Sequence, residues 1–304
     1  MNKLLKRSGM VLGGVVALAA ALFGVASLKA SARLEQKFET HRHELGLPPA
    51  DDAAAIERGR HLVDSRYGCK SCHGQDLGGG VMLDEPPIGQ ILGPNLTMGQ
   101  GSRAAGYAMS DWDRIVRHGV KPDGSGALMP SEEYFKMSDA ELSDIVAYVR
   151  SLPPVAAEVA APRLGPVGKV LVALGKLPIA AEHPRAKATS HAARPPSSAE
   201  SVEFGGHLAA TCTGCHRPNL AGGPMAFGPP DWPAAANLTQ HASGLAGWSY
   251  EDFDRALTQG VGKDGSKLRE PMAGVVAGTK GMSATEKKAM WSYLRSVEAT
   301  TNEG

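Results

Sequence analysis

Polar and apolar positions alternate along this chain with helical spacing in several places. After Lys3, Lys6 and Arg7, residues 9–28 form a run of twenty with no charged side chain. That is the length of a membrane-spanning helix, longer than the usual apolar stretch of an export signal. Ala30, Ser31 and Ala32 then offer an A-x-A-like cleavage site, so both an uncleaved anchor and a removed signal are open, with the anchor favoured by length. Ser138 followed by Glu141 is a capping box, and Leu142, Ile145, Val146 and Val149 continue it at helical spacing until Pro153 and Pro154. Ser283 and Glu286 open a second such helix with Met290, Leu294 and Val297. Further helices are expected near 52–63 and 199–209, and a short amphipathic one within 165–177. Nothing alternates like a strand for more than a few residues, so the expected fold class is all-α.

The two capped helices belong to an internal repeat. Gly59-Arg-His-Leu62 answers Gly205-Gly-His-Leu208, Leu77-Gly-Gly-Gly80 answers Leu220-Ala-Gly-Gly223, and Asn95-Leu-Thr97 answers Asn237-Leu-Thr239. Asp123-Gly-Ser125 answers Asp264-Gly-Ser266, and Tyr148 to Ser151 answers Tyr293 to Ser296. Two copies at so long a period indicate a duplicated domain, not a solenoid. The expected organisation is an anchor or signal segment with its stalk at 1–48, one domain at 49–154, an Ala/Pro-rich linker at 155–198 and a second domain at 199–304. The paired Asn-x-Thr segments also read as glycosylation sequons, but their place inside the repeat favours a structural role.

Lys+Arg 32 against Asp+Glu 31 leaves a net charge of +1, which gives no electrostatic ground for nucleic acid as a partner. Aromatic residues make up only 5%, so each domain is expected to complete its core around something bound. The four cysteines show what. Cys69-Lys-Ser-Cys72-His73 and Cys212-Thr-Gly-Cys215-His216 are both C-x-x-C-H, the attachment signature of c-type haem. Two thiols three residues apart can each form a thioether to one porphyrin vinyl group. The next residue's imidazole then lies under the ring as an iron ligand. This composition gives one such motif by chance about 0.002 times. A dithiol redox pair lacks its βαβ setting, and a zinc site would have to unite motifs 143 residues apart. A disulfide framework does not suit two close, His-tailed pairs. Two covalently attached haem c groups are expected, with His73 and His216 as iron ligands.

The order of helix, C-x-x-C-H, Gly-rich loop, methionine and final helix resembles the class I cytochrome c family, here as two tandem domains. The resemblance implies a crossing of first and last helices in which Gly59 meets Tyr148, and Gly205 or Gly206 meets Tyr293. It also implies distal methionine ligands: Met129 follows His73, and Met272 follows His216, by the same 56 residues. Met82 and Met225 lie only nine residues after their histidines, hardly enough to reach the opposite face. His118 has Gln259 as its counterpart and is expected at the surface or near the propionates. His61 and His207 are expected exposed or packed on helices, and His183 and His191 solvated in the linker. Pro94 matches the family proline whose carbonyl accepts the proximal imidazole N–H, with Ala236 in its place in the second copy.

The implied function is electron transfer between redox proteins in the periplasm or at the bacterial membrane, with the haem domains exported. Alternatives are the haem subunit of a periplasmic dehydrogenase, or a di-haem enzyme such as a peroxidase or thiosulfate dehydrogenase, which would need one exchangeable haem.

Overall fold

The computed structural model describes residues 2–41, 43, 45–225 and 231–301. Met1 and residues 302–304, the outer ends of the first and last expected segments, lie outside them. The chain is mostly helical. Helix α1 (Asn2–Glu35) precedes a first set of elements: α2 (Ala53–His61), α3 (Lys70–His73), strands β1 (Gly80–Glu85) and β2 (Gly89–Gly93), α4 (Met109–His118) and α5 (Asp139–Ser151). The linker carries β3 (Arg163–Leu164) and α6 (Pro166–Ala173). The second set is α7 (Val202–Leu208), α8 (Thr213–His216), α9 (Tyr250–Gln259), α10 (Met272–Thr279) and α11 (Ala284–Ser296).

Local rules account for the helix ends. Ser138 Oγ accepts from the Glu141 amide at 3.3 Å, while Glu141 Oε2 accepts from the Ser138 amide at 2.8 Å. Ser283 and Glu286 repeat the box at 3.2 and 2.8 Å. The first and last helices of each set cross at glycine. A β-carbon at Gly59 would collide with the Asp144 carbonyl and lie 2.8 Å from Tyr148 Cβ. One at Gly205 would collide with the Ala289 carbonyl and lie 2.7 Å from Tyr293 Cβ. Gly206 faces the Tyr293 ring edge instead, so Gly205 is the crossing residue. Leu62, Val63, Leu142, Val146 and Val149 fill the first core; Phe204, Leu208, Met290 and Leu294 fill the second.

The Asn-x-Thr segments fasten the chain that follows each last helix. Asn95 Nδ2 donates to the Val155 carbonyl at 2.7 Å, and the Val155 amide donates to Thr97 Oγ1 at 3.0 Å. Asn237 Nδ2 donates to the Thr300 carbonyl at 2.7 Å, and the Thr300 amide to Thr239 Oγ1 at 3.2 Å. Both asparagines are buried, which closes them to glycosylation.

Three features depart from the sequence-based expectation. First, β1 and β2 form an antiparallel hairpin to which β3 adds. Its glycines let it lie on α3: a β-carbon at Gly80 would sit 2.7 Å from the Cys72 carbonyl oxygen, and one at Gly93 would strike it. So short and Gly-rich a hairpin has no period-2 pattern to read. Second, the linker is a strap around the first domain, and α6 packs against the end of α1. Ala30 and Val172 are buried there, and Arg33 bonds Glu182. Third, several histidines are not where the pattern put them. His118 is fully buried, and His191 is half-buried beside it, with Nε2 atoms 3.1 Å apart. Segments distant in sequence cover both.

His61 and His207 bridge the two halves reciprocally. His61 Nε2 meets Glu286 Oε2 at 2.9 Å, and His207 Nε2 meets Glu141 Oε1 at 3.0 Å. Equivalent residues pair in both directions, as a pseudo-twofold arrangement requires. The hydrogen bond to Glu286 raises the His61 pKa above its ordinary 6.5 despite partial burial. Burial raises Glu141, but the His207 hydrogen bond and the Arg66 charge outweigh it and bring it down to about 2; Glu286 is also lowered. The His61 contribution is therefore complete below 6.5 and lost as pH rises through its raised value. The glutamate contributions hold above their ordinary values and disappear only in acid. Amide exchange at Ser65 and Gly281, which touch across this interface, is expected to accelerate beyond the intrinsic chemical rate as pH rises above 6.5 through the raised His61 value. His61→Gln should flatten that extra dependence; an unchanged profile in the variant would show that the pair does not hold the interface.

Candidate haem sites

The first site grows from one helical turn. The His73 amide donates to the Cys69 carbonyl at 3.0 Å, so Cys69 and Cys72 share a face and His73 follows beneath them. His73 is buried, and its Nδ1–H donates to the Pro94 carbonyl at 2.9 Å. That bond fixes the tautomer and leaves the Nε2 lone pair free to bind a metal. Burial lowers the His73 pKa, so the imidazole is neutral and ready to coordinate.

Met129 lies on the wall of the same cavity, a space of ≈ 350 Å³ that Cys69, Cys72 and His73 also line. Such a volume suits a bound cofactor. The segment bearing Met129 is held by Ser131, whose hydroxyl donates to the Ile115 carbonyl at 2.8 Å, and by Tyr134, whose hydroxyl donates to the Tyr67 carbonyl at 3.3 Å. Met82 also lines the cavity, but from β1, the strand packed on α3. Trp112 lines this cavity, almost fully buried, and its indole N–H has no partner among the described residues. A buried donor in this state calls for a hydrogen-bond acceptor, which a haem propionate would supply. The residues present therefore fit the group. Leu34, Val159 and Leu164 also line the cavity. The sequence carries no signal for these, because the stalk and linker reach the site only through tertiary packing.

The second site repeats the plan with differences. His216 is buried, its pKa is lowered by burial, and its Nδ1–H donates to the Ala236 carbonyl at 2.7 Å. Alanine thus does what Pro94 does, since the contact needs only a backbone carbonyl. Met272 opens α10 and, with Cys212, packs against the second core. Phe253 stands where the first copy has Trp112.

The two sites are neighbours. A β-carbon at Gly214, inside the second C-x-x-C-H, would run into the carboxyl of Glu133, four residues beyond Met129. Burial, helped by the Glu132 charge, pushes Glu133 up to about 8. That shift favours the uncharged carboxyl over a fixed charge between the sites.

Known proteins agree with this geometry. The family model described as "Cytochrome c" matches twice, over residues 56–153 and 203–298. The cytochrome subunit of fructose dehydrogenase from Gluconobacter japonicus is 25% identical over 281 residues, covering 84% of this chain and 55% of that protein. The cytochrome c subunit of quinone-dependent alcohol dehydrogenase from Gluconacetobacter polyoxogenes is 27% identical over 279 residues, 83% of this chain and 58% of that protein. A diheme cytochrome c-type protein of Cereibacter sphaeroides is 26% identical over 255 residues, 76% of this chain and 82% of its own length. The chain thus spans little more than half the length of the two dehydrogenase subunits. Two C-x-x-C-H motifs in two matched domains make it a di-haem protein, and the chain belongs to the cytochrome c family.

Proposed function

We propose that this protein passes electrons between protein redox partners, one of them a membrane-associated dehydrogenase, through two haems with histidine and methionine ligands. His73 with Met129 and His216 with Met272 are the proposed axial pairs, and Cys69, Cys72, Cys212 and Cys215 the thioether attachments. A haem c closed on both faces in this way supplies one-electron transfer and offers no open position to a substrate. The contact of Glu133 with Gly214 carries the reading, since it sets the distal segment of one site against the attachment motif of the other. The carbonyls of Pro94 and Ala236 hold both imidazoles in one tautomer, so neither needs to reorganise when charge moves. The dehydrogenase subunits among the relatives support the choice of partner.

Closed coordination is the property to test. Carbon monoxide added to the fully reduced protein should leave the visible spectrum unchanged. A carbonyl adduct on either haem would overturn the electron-carrier reading in favour of an enzyme with an exchangeable site.

Helix α1 is the proposed membrane anchor, with the haem domains on the periplasmic side. Within residues 10–35 an 18-residue stretch of mean hydropathy 2.3 is unburied, and the helix is long and apolar enough to cross a bilayer. Cleavage near Ala32 would remove Ala30 from its buried place against α6, which favours the uncleaved form. The full-length protein is expected to stay with membranes through a carbonate wash. A soluble chain beginning at Arg33 would refute the anchor.

A further inference from the structure

His43, His118 and His191 come from the stalk, the end of α4 and the linker strap, and their ring nitrogens converge. One nitrogen of each lies within 4.8 Å of the other two. His118 Nδ1–H donates to the Ala186 carbonyl at 2.8 Å, and His191 Nδ1–H to the Phe135 carbonyl at 2.9 Å. In a neutral ring such a bond leaves the lone pair on Nε2, and the two Nε2 atoms face each other at 3.1 Å. Facing lone pairs repel unless a cation lies between them. His43 Nε2 is buried with no partner among the described residues, and its ring lies 5.4 Å from that of His191. Asp113 Oδ2, buried and without a hydrogen bond among the described residues, is 3.6 Å from His118 Nε2.

We infer that these three histidines form a divalent transition-metal site, with zinc as its natural occupant, separate from both haem sites. Two metal–ligand bonds of about 2.05 Å at a tetrahedral angle place donor atoms about 3.3 Å apart. The 3.1 and 3.6 Å separations bracket that figure. Three neutral imidazoles suit zinc, and the two backbone carbonyls supply the orienting contacts that metal-bound histidines need. The fourth position falls to Asp113 Oδ2 or water. Arg117, the nearest cation, is compensated: its Nε donates to Asp113 Oδ1 at 2.6 Å and an Nη to Asp139 at 2.8 Å. A metal here would tie the stalk and the strap to the first domain and so fix that domain relative to α1.

The test uses the haem-loaded full chain in detergent, purified without a histidine tag, stripped with chelator, given zinc chloride and desalted. Elemental analysis should find one zinc per two irons. Zinc-edge X-ray absorption should show imidazole nitrogens at about 2.0 Å. His43→Gln and His191→Gln, with visible spectra unchanged, should each weaken binding at least about 100-fold, since losing a group that only orients a ligand already costs about 10–100-fold. A wild-type chain that keeps no zinc, zinc without imidazole ligands, or equal zinc in wild type and variants would overturn the site.

Discussion

Replacing Met129 by alanine is expected to abolish the first domain's share of the weak near-infrared band that marks thioether bonding to ferric iron. Met272→Ala should abolish the second domain's share. Each change should also lower the potential of its own haem, because a soft ligand that favours ferrous iron is lost. The drop should be on the order of 0.1 V, a modest part of the ≈ 0.8 V that axial ligands command. The Met129 segment is anchored by Ser131 and Tyr134, so truncation should leave the cavity walls in place. Met272 starts a helix and follows Pro271, whereas Met129 precedes Pro130, which makes the second domain the sharper test. A Met272→Ala protein with unaltered band and potential would mean that another group, or none, closes the second iron.

Gly59→Ala and Gly205→Ala should each destabilise one domain strongly. Alanine improves intrinsic helix propensity by about 1 kcal/mol. Here that gain is outweighed, because the new methyl meets a backbone carbonyl of the crossing helix as well as a tyrosine Cβ. A carbonyl cannot rotate away as a side-chain tip can, so the helices must separate. Overpacking of this kind costs about 1–3 kcal/mol or more. A net loss of about 2 kcal/mol corresponds to a fall of roughly 8–16 °C in the melting temperature of a domain this size. Gly106→Ala is the control, since a β-carbon there meets nothing within 4 Å. Equal melting temperatures for the Gly59, Gly205 and Gly106 variants would show that the crossing tolerates a methyl group.

The alanine at 236 shows how residue identity and backbone geometry differ in what they reveal. By sequence, the second copy lacks the proline that marks the first, yet the carbonyl is delivered to His216 in the same way. The asparagines at 95 and 237 show the converse. Their repetition pointed to a structural role, but only the packed chain reveals that they hold Val155 and Thr300. The capping-box glutamates carry a second duty that no local pattern records. Glu141 and Glu286 each close a helix end and also receive a histidine from the other domain.

The sequence alone determined the haem motifs, the duplication and the capped last helices. Each is written in residues close in sequence, or in a repeat that shows the same short pattern twice. Covalent chemistry and the helical period act over three or four residues, so these features are readable without the fold. Tertiary structure decided the hairpin on α3, the strap around the first domain, the reciprocal histidine–glutamate pairs and the convergence of His43, His118 and His191. Those histidines lie 75 and 73 residues apart along the chain. Whether such a side chain is solvated or buried depends on which distant segment covers it, and the path of the folded backbone sets that.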